Sequence, residues 1–225
     1  GTFDIVHEKM KMVTERGMGK TARLTYTPET VEYLYDSIVY LVDEMNFPIV
    51  APTPAIDSYT HFSDEDLEEL DRQYEKIDKR FKDKILNGED PGMNYYGKCF
   101  RQLIRDHKMH SPCGAGKKFV GINYDGEIFP CHRFVQWPEW KFGDVWNGIT
   151  EPKIRKAVTS YDSHVQGPKC AKCDNGFCGG TCLASNYENN GTIWKHSKDG
   201  CKISMRQWNN AKKMYKELGH TDKFR

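Results

Sequence analysis

Apolar residues recur every three or four positions at Phe3, Val6, Met10 and Val13, which predicts an amphipathic helix over residues 3–16. Thr2 is placed to cap its start and Gly17 to end it. The run TARLTY, Thr21 to Tyr26, is short and β-prone, and Thr27-Pro28 then offers a cap residue followed by proline at the first helical position. Val31, Leu34, Ile38, Leu41, Val42 and Met45 continue as one apolar stripe, and Phe47 to Val50, running into Ala51-Pro52, predicts a second strand. Ser63 and Asp66 have capping-box spacing, and Leu67, Leu70, Tyr74, Ile77, Phe81 and Ile85 mark a third helix ending near Asn87-Gly88. Strands alternating with helices imply parallel β/α units. Two strands are too few for a parallel sheet, whose two faces both need covering, so this half predicts part of something larger.

After residue 90 the pattern changes to short β-prone runs, turns and cysteines. VGINYDGEIFP places Asp125-Gly126 between two strand-like runs, a type I′ hairpin signal, and YENNGTIW repeats it at Asn190-Gly191. Ser204 to Leu218, with Trp208, Ala211, Tyr215 and Leu218 on one face, predicts a closing helix. The expected organisation is an α/β domain over residues 1–95 and a cysteine-rich α+β domain with short hairpins over 96–225.

Charge narrows the function little. Lys plus Arg is 33 and Asp plus Glu is 32, a net charge of +1, so no field of one sign announces nucleic acid or a membrane surface as partner. There is no apolar run of spanning length, and GTFDIVHEKM carries acids where a secretory leader would be apolar. Eight cysteines in 225 residues are too sparse for a disulfide scaffold, so the expected setting is the reducing cytoplasm, where clustered thiols serve metal or redox chemistry.

Seven of those cysteines form a pattern: Cys113, twelve residues, Gly126, four residues, Cys131; then Cys170-x2-Cys173-x4-Cys178-x3-Cys182; then Cys201. A C-x2-C turn presents two thiolates to one centre, and a glycine at Gly126 supplies the positive φ that folds Cys131 back toward Cys113. With Cys99 the thiols number eight, enough for two four-ligand centres. Zinc and iron-sulfur clusters both accept four thiolates, so spacing leaves both open, together with redox-active or unligated thiols. A mixed zinc site from Cys99, His107, His110 and Cys113 is a further arrangement, although it would take Cys113 from Cys131.

The run CGAGKKFVGINYDGEIFPCHRF, followed by CAKCDNGFCGGTC and Cys201, resembles the SPASM extension of radical S-adenosylmethionine enzymes over roughly residues 99–205. The β/α units of residues 1–90 are similar to the second half of the partial barrel that precedes it in that family. The resemblance implies two auxiliary [4Fe-4S] clusters. Cys113, Cys131 and Cys182 would hold the first and Cys170, Cys173, Cys178 and Cys201 the second; Cys99 would be an upstream ligand completing the first, a position that in other members stays free for substrate. It further implies an enzyme that oxidatively modifies a peptide or protein side chain, by thioether-type crosslinking or sulfatase-like maturation. Electrons would come from a reductant protein such as flavodoxin or ferredoxin, with no nucleic acid or membrane partner. S-adenosylmethionine and a third [4Fe-4S] cluster would belong to the intact enzyme.

Three departures bear on this. The interval before Cys178 is x4 where the family usually has x5. The residue after Cys131 is His132, where sulfatase-maturating members typically carry an acid; PCHRF is closer to peptide maturases. No C-x3-C-x2-C, the motif that binds the S-adenosylmethionine-cleaving cluster in the family, occurs in the 225 residues. The alternative function is a non-catalytic zinc or iron-sulfur module for protein interaction or electron transfer. On the first predicted strand Arg23 and Thr25 alternate with Ala22 and Leu24, so the first pair would face a barrel lumen and touch S-adenosylmethionine, or simply solvent. Trp137, Trp140 and Trp146 would line a peptide groove or pack around the centres. The expectation for the intact gene is a C-x3-C-x2-C roughly 80 to 120 residues before Gly1, at about 25–30 residues per β/α unit; an upstream reading frame without it would contradict the enzyme reading.

Overall fold

The computed structural model describes residues 1–92, 94–105, 107–166 and 168–219. The chain divides into two compact units, Gly1–Asp106 with Met205–Arg225, and His107–Ser204.

In the first unit, helix α1 (Phe3–Glu15) matches the apolar repeat, but none of its described residues is buried. Thr2 does not cap it: its backbone is itself helical and its side chain accepts no hydrogen bond from the first turn. Strand β1 (Thr21–Tyr26) lies parallel to β2 (Ile49–Pro54), with Thr21 opposite Ile49 and Tyr26 opposite Pro54. The connection between them is helical, so the pair is the expected β/α unit. The single stripe of Val31 to Met45 breaks into a 3₁₀ turn (Pro28–Tyr33), α2 (Leu34–Val39) and a π turn (Tyr40–Glu44). Strand β2 starts two residues later than the apolar run because the Phe47 amide is bonded back to the Leu41 carbonyl of the π turn.

Helix α3 (Asp64–Leu86) is the spine of the unit. Ser63 Oγ accepts from the Asp66 amide while Asp66 Oδ2 accepts from the Ser63 amide, so the capping box forms as predicted. Leu67, Leu70, Tyr74, Ile77, Phe81 and Ile85 are all buried, each contributing about 1.5–3 kcal/mol of apolar transfer for the larger aliphatic and aromatic side chains. Gln73 is buried on the same helix and is satisfied: it accepts from the Tyr35 amide and donates to Glu69.

Helix α4 (Asn94–Arg105) was not expected. Tyr96, Cys99 and Phe100 are spaced i, i+3, i+4 and buried, but the helix starts just after Pro91-Gly92 and carries Gly97, features that read locally as a loop. Ring contacts decide the matter: Tyr96 lies 4.4 Å from Phe81, and Phe100 lies 5.5 Å from Tyr215. The helix runs through the expected junction at 95/96, and the division between units follows it instead.

The second unit, which follows, is loop-rich. Strands β3 (Gly121–Ile122), β4 (Glu127–Phe129), β5 (Gly143–Asp144) and β6 (Gly148–Ile149) form an antiparallel meander. The Asp125-Gly126 hairpin exists but is not type I′. The Gly126 amide bonds the Asn123 carbonyl and the Asn123 amide bonds Glu127, leaving a three-residue loop whose last member, Gly126, has φ +74°. A side chain there would also strike the Trp146 ring at 2.6 Å. Two short 3₁₀ turns (His132–Gln136 and Pro138–Trp140) separate β4 from β5. Helices α5 (Pro152–Thr159), α6 (Ser163–Gln166), α7 (Pro168–Ala171) and α8 (Leu183–Asn190) complete the unit. Asn190-Gly191 is not a hairpin; it ends α8, with Gly191 left-handed and its amide on the Tyr187 carbonyl. The same dipeptide serves both structures, and only the helix before it tells them apart.

The closing helix α9 (Lys198–Glu217) begins six residues before its predicted start, because Ser197 Oγ accepts from the Gly200 amide and caps it. The division between units falls within it. Its later part belongs to the first unit, where Arg206 pairs with Asp71, Gln207 donates to the Tyr74 hydroxyl and Lys82 pairs with Glu217.

Asp78, on α3, is half-buried, and its Oδ1 has no hydrogen-bond partner among the described residues. Burial, opposed by Lys213 and reinforced by Glu217 and Glu75, pushes its carboxyl up to about 7 from an ordinary value near 3.8. The folded chain thus binds a proton between pH 7 and 4 that the unfolded chain does not, so this group penalises folding above pH 7 and the penalty fades as pH falls. Asp78→Asn is expected to raise the unfolding free energy by about 2 kcal/mol at pH 8, after allowance for partial solvent screening, and by less at pH 5. Urea titrations at both pH values measure the difference.

Candidate metal centres

Seven of the eight cysteines, Cys113, Cys131, Cys170, Cys173, Cys178, Cys182 and Cys201, belong to the second unit. Their thiols interact electrostatically as two sets. Cys113 feels Cys182 and Cys131, and Cys131 feels Cys182. Separately, Cys201 feels Cys178, Cys170 and Cys173, and Cys170 feels Cys178 and Cys173. Burial is the first cause that raises the Cys113, Cys131, Cys170 and Cys201 thiols, with the charge of neighbouring thiols added to it; Cys170 is pushed up to about 11 and Cys201 to about 12. Several thiolates brought so near one another without a cation repel. A metal centre that displaces their protons turns that repulsion into coordination.

The first set is assembled by the hairpin. Gly121 lies on Cys131 so closely that a Cβ would meet its carbonyl carbon at 2.5 Å. The Gly116 amide bonds the Pro130 carbonyl, tying the turn after Cys113 to the residue before Cys131. Backbone amides aim at the sulfurs: Ala115 at Cys113, and Arg133 and Phe134 at Cys131. Arg133 joins the third member, its Nη1 donating to Ser185 Oγ at 2.6 Å and Cys182 Sγ at 3.7 Å while Nη2 pairs with Glu188 at 2.6 Å.

The second set is assembled by loops held on two buried asparagines. Asn175 Oδ1 accepts from the Phe177 and Cys178 amides, and its Nδ2 donates to the Ser204 carbonyl and hydroxyl, bringing the C-x2-C turn to the start of α9. Asn186 donates to the Gly180 and Ile193 carbonyls and accepts from the Ser197 amide and the Thr181 hydroxyl. Between Cys178 and Cys182, Gly179, Gly180 and Thr181 are all left-handed, with φ +62°, +103° and +63°. A Cβ on Gly179 would meet Ser111 at 2.6 Å and one on Gly180 would meet the Tyr161 hydroxyl at 2.2 Å. Thr181, a β-branched residue in this region, is strained, and its amide donates to Cys178 Sγ at 3.3 Å. The Asn175 amide donates to Cys173 Sγ at 3.5 Å.

His196 stands beside the second set. Its Nε2 is 2.9 Å from the Tyr161 hydroxyl and its Nδ1 is 3.3 Å from Cys170 Sγ. Burial pulls its pKa down. With Cys170 as thiolate, the neutral tautomer that fits accepts from Tyr161 at Nε2 and donates from Nδ1 to sulfur. The Tyr161 ring is itself fixed by stacking on Trp194, centroids 5.3 Å apart at 8°.

The remaining sequence candidates are placed differently. Cys99 belongs to the first unit, fully buried on α4, and interacts with Tyr74; burial pushes its thiol up to about 12. The expected ligand is there a core residue, because its helical spacing with Tyr96 and Phe100 turns it inward. Arg23 and Thr25 share the exposed face of β1, while Ala22 and Tyr26 are buried on the other. His132 is exposed. Trp137 and Trp140 pack edge-on against Phe134 and Tyr187 in the second unit's core, whereas Trp146 is 75% exposed. Asn175, Asn186, Arg133, Tyr161 and His196 are not among the residues the sequence singles out; Asn175 and Arg133 lie inside the cysteine-bearing runs, and the others carry no local signal.

No protein-family model matches the chain. Over 94 residues it is 30% identical to an uncharacterized protein of Archaeoglobus fulgidus, covering 39% of this chain and 21% of that protein. Among solved structures, native anSMEcpe with bound AdoMet matches with a TM-score of 0.72 at 14% identity, over 98% of this chain and 62% of that one. The hexahistidine-tagged form with bound AdoMet gives 0.72 at 15% identity, over 99% and 61%. Native anSMEcpe with bound AdoMet and Kp18Cys peptide gives 0.71 at 14%, over 98% and 63%. anSMEcpe is a radical SAM/SPASM anaerobic sulfatase-maturating enzyme, and this chain has a radical SAM/SPASM-like fold. It spans about three fifths of the length of those structures. Among the described residues no helix is long and apolar enough to cross a membrane.

Asn186→Ala removes four hydrogen bonds from a fully buried position and is expected to lower the unfolding free energy by at least about 2 kcal/mol, the order of the desolvation cost of the groups left unpaired. Denaturant unfolding monitored by Trp fluorescence measures it; a loss under about 0.5 kcal/mol, the range of an ordinary surface change, would show that the loops are held otherwise.

Proposed function

We propose that the chain is the auxiliary-cluster part of a radical S-adenosylmethionine enzyme that oxidatively modifies a peptide or protein side chain. The observation that carries this reading is the sorting of seven thiols into the sets Cys113, Cys131, Cys182 and Cys170, Cys173, Cys178, Cys201, in a chain with a radical SAM/SPASM-like fold. The second set offers four thiolates to a [4Fe-4S] centre. The first offers three from its own unit, and the fourth position of its centre would be open to substrate. Iron-sulfur centres bind or exchange single electrons at potentials set by burial and by hydrogen bonds to sulfur.

The donor set favours a cage over a single ion. Four thiolates on one zinc lie about 3.8 Å apart, from a zinc-sulfur bond near 2.3 Å. Among the described residues the one grouping of three or more ligand atoms all within 4.8 Å of one another contains no cysteine, so the thiols are spread more widely than a mononuclear site requires. The backbone amides on Cys113, Cys131, Cys173 and Cys178, and His196 on Cys170, stabilise the thiolate form and raise the potential of whatever centre it ligates. Arg133 positions Cys182 and adds positive charge beside the first set.

Arg23 and Thr25, on the exposed face of β1, would meet S-adenosylmethionine in the intact enzyme, which would carry the third cluster and take electrons from a flavodoxin or ferredoxin. That a solved neighbour holds a peptide beside AdoMet supports a peptide as the substrate class here. The cytoplasm is the compartment that suits such chemistry.

Anaerobic reconstitution of the chain is expected to give broad absorbance near 400 nm and about eight irons per chain. Cys113→Ala with Cys131→Ala should remove about half of that iron, as should Cys170→Ala with Cys173→Ala, while Cys99→Ala should leave it unchanged. A colourless protein with two zincs would replace this reading with a non-catalytic zinc module.

A further inference from the structure

Outside the cysteine sets, one group of side chains has the geometry of a metal site. His110, Asp162 and His164 each present a ligand atom, and all three atoms lie within 4.8 Å of one another. His110 comes from the loop that leads to Cys113, and Asp162 and His164 from the start of α6. The Ser163 amide donates to the His110 carbonyl at 2.8 Å, which fixes the two segments side by side through the backbone. His110 Nδ1 is 2.9 Å from Asp162 Oδ2, and the other carboxylate oxygen accepts from the His164 amide at 2.8 Å, so the carboxylate is oriented from both sides. The two imidazoles face each other with centroids 4.2 Å apart at 60°.

Without an ion this arrangement is poorly used. His110 has the carboxylate as its partner, but two imidazole rings set edge to face gain little from each other. Two imidazoles and one carboxylate converging on one point is a donor set for a divalent first-row metal, with coordination positions left for water. The site is half open to solvent, His110 being 50% and Asp162 32% exposed at the side chain, so an ion can enter.

We propose that His110, Asp162 and His164 bind a divalent transition-metal ion of the zinc type, which clamps the loop before Cys113 to the turn after Tyr161. Binding takes the lone pair of a neutral imidazole from each histidine and a carboxylate oxygen from Asp162, so at Nδ1 of His110 the metal would replace the hydrogen bond to Asp162 and leave the ring N–H at Nε2. The clamp spans the segments that lead into the two cysteine sets: Cys113 follows His110 by three residues, and Tyr161, which reaches His196, precedes Asp162. It is a positioning site, separate from the thiol centres and independent of what those hold.

The test compares the wild-type chain with His110→Ala/His164→Ala after anaerobic equilibration with zinc and removal of the excess. Elemental analysis is expected to find one zinc fewer per chain in the variant with iron content unchanged. X-ray absorption of the wild-type minus variant difference should show nitrogen and oxygen at about 2.0–2.1 Å and no sulfur near 2.3 Å. Both chains carry the same cysteines, so the difference reads alike whether those hold iron, zinc or nothing. Should the double variant fail to fold, Asp162→Asn keeps the hydrogen-bonding shape but loses the anionic ligand, and it should weaken zinc binding at least about 10-fold, the lower end for losing even an outer partner. Equal zinc in wild type and variants, or a difference spectrum with a sulfur shell, overturns the proposal.

Discussion

Between Cys178 and Cys182 the main chain has three residues in which to direct one thiol toward each set. Three consecutive left-handed residues achieve this, and two of them have no room for a Cβ because Ser111 and Tyr161 press on the loop from outside. Asn186 then fastens the loop from inside by bonding the Gly180 carbonyl and the Thr181 hydroxyl. The second unit has few long elements of its own, and its order depends on such backbone-to-side-chain bonds more than on sheet or helix ladders.

That economy has a physical logic. A unit that must present seven thiols cannot fill its interior with apolar residues to the same degree, and its buried core is correspondingly small: Phe129, Phe134, Val158, Leu183 and Ile193 with a rim of aromatic rings. Order is therefore carried by polar groups at fixed points and would be completed by coordination, which binds folding to metal content. The first unit works by the opposite means. Its α3 spine buries an apolar stripe against the helical connection between β1 and β2, and Gln73 and the Tyr26–Tyr74 pair are hydrogen-bonded within it, while Asp78 keeps one carboxylate oxygen without a partner among the described residues.

Much of the first unit was legible as periodicity. The α3 capping box and stripe, the β/α/β order and the exposed alternation of Arg23 and Thr25 follow from residue spacing. The loss at Val31 to Met45 is instructive: one apolar stripe hides a change from 3₁₀ to α to π winding, because all three keep neighbouring side chains on nearly the same face. In the second unit the cysteine spacing marked seven residues, and all seven fall in that one compact unit. Local signals failed where one dipeptide serves two purposes, as Asn190-Gly191 does at a helix end and Asp125-Gly126 in a three-residue loop.

What the sequence by itself determined was therefore the inventory and its rhythm: which helices carry an apolar face, where the chain turns, and which seven thiols belong to one family-like pattern. Tertiary structure alone decided that Cys99 faces a core, that Asn175, Asn186, Arg133 and His196 hold and tune the sulfurs, and that His110 meets Asp162 and His164 across some fifty residues of chain. The reason is range. Periodicity and turn chemistry act over a few residues, whereas hydrogen bonds to buried asparagines and the meeting of ligand atoms depend on where distant segments come to rest.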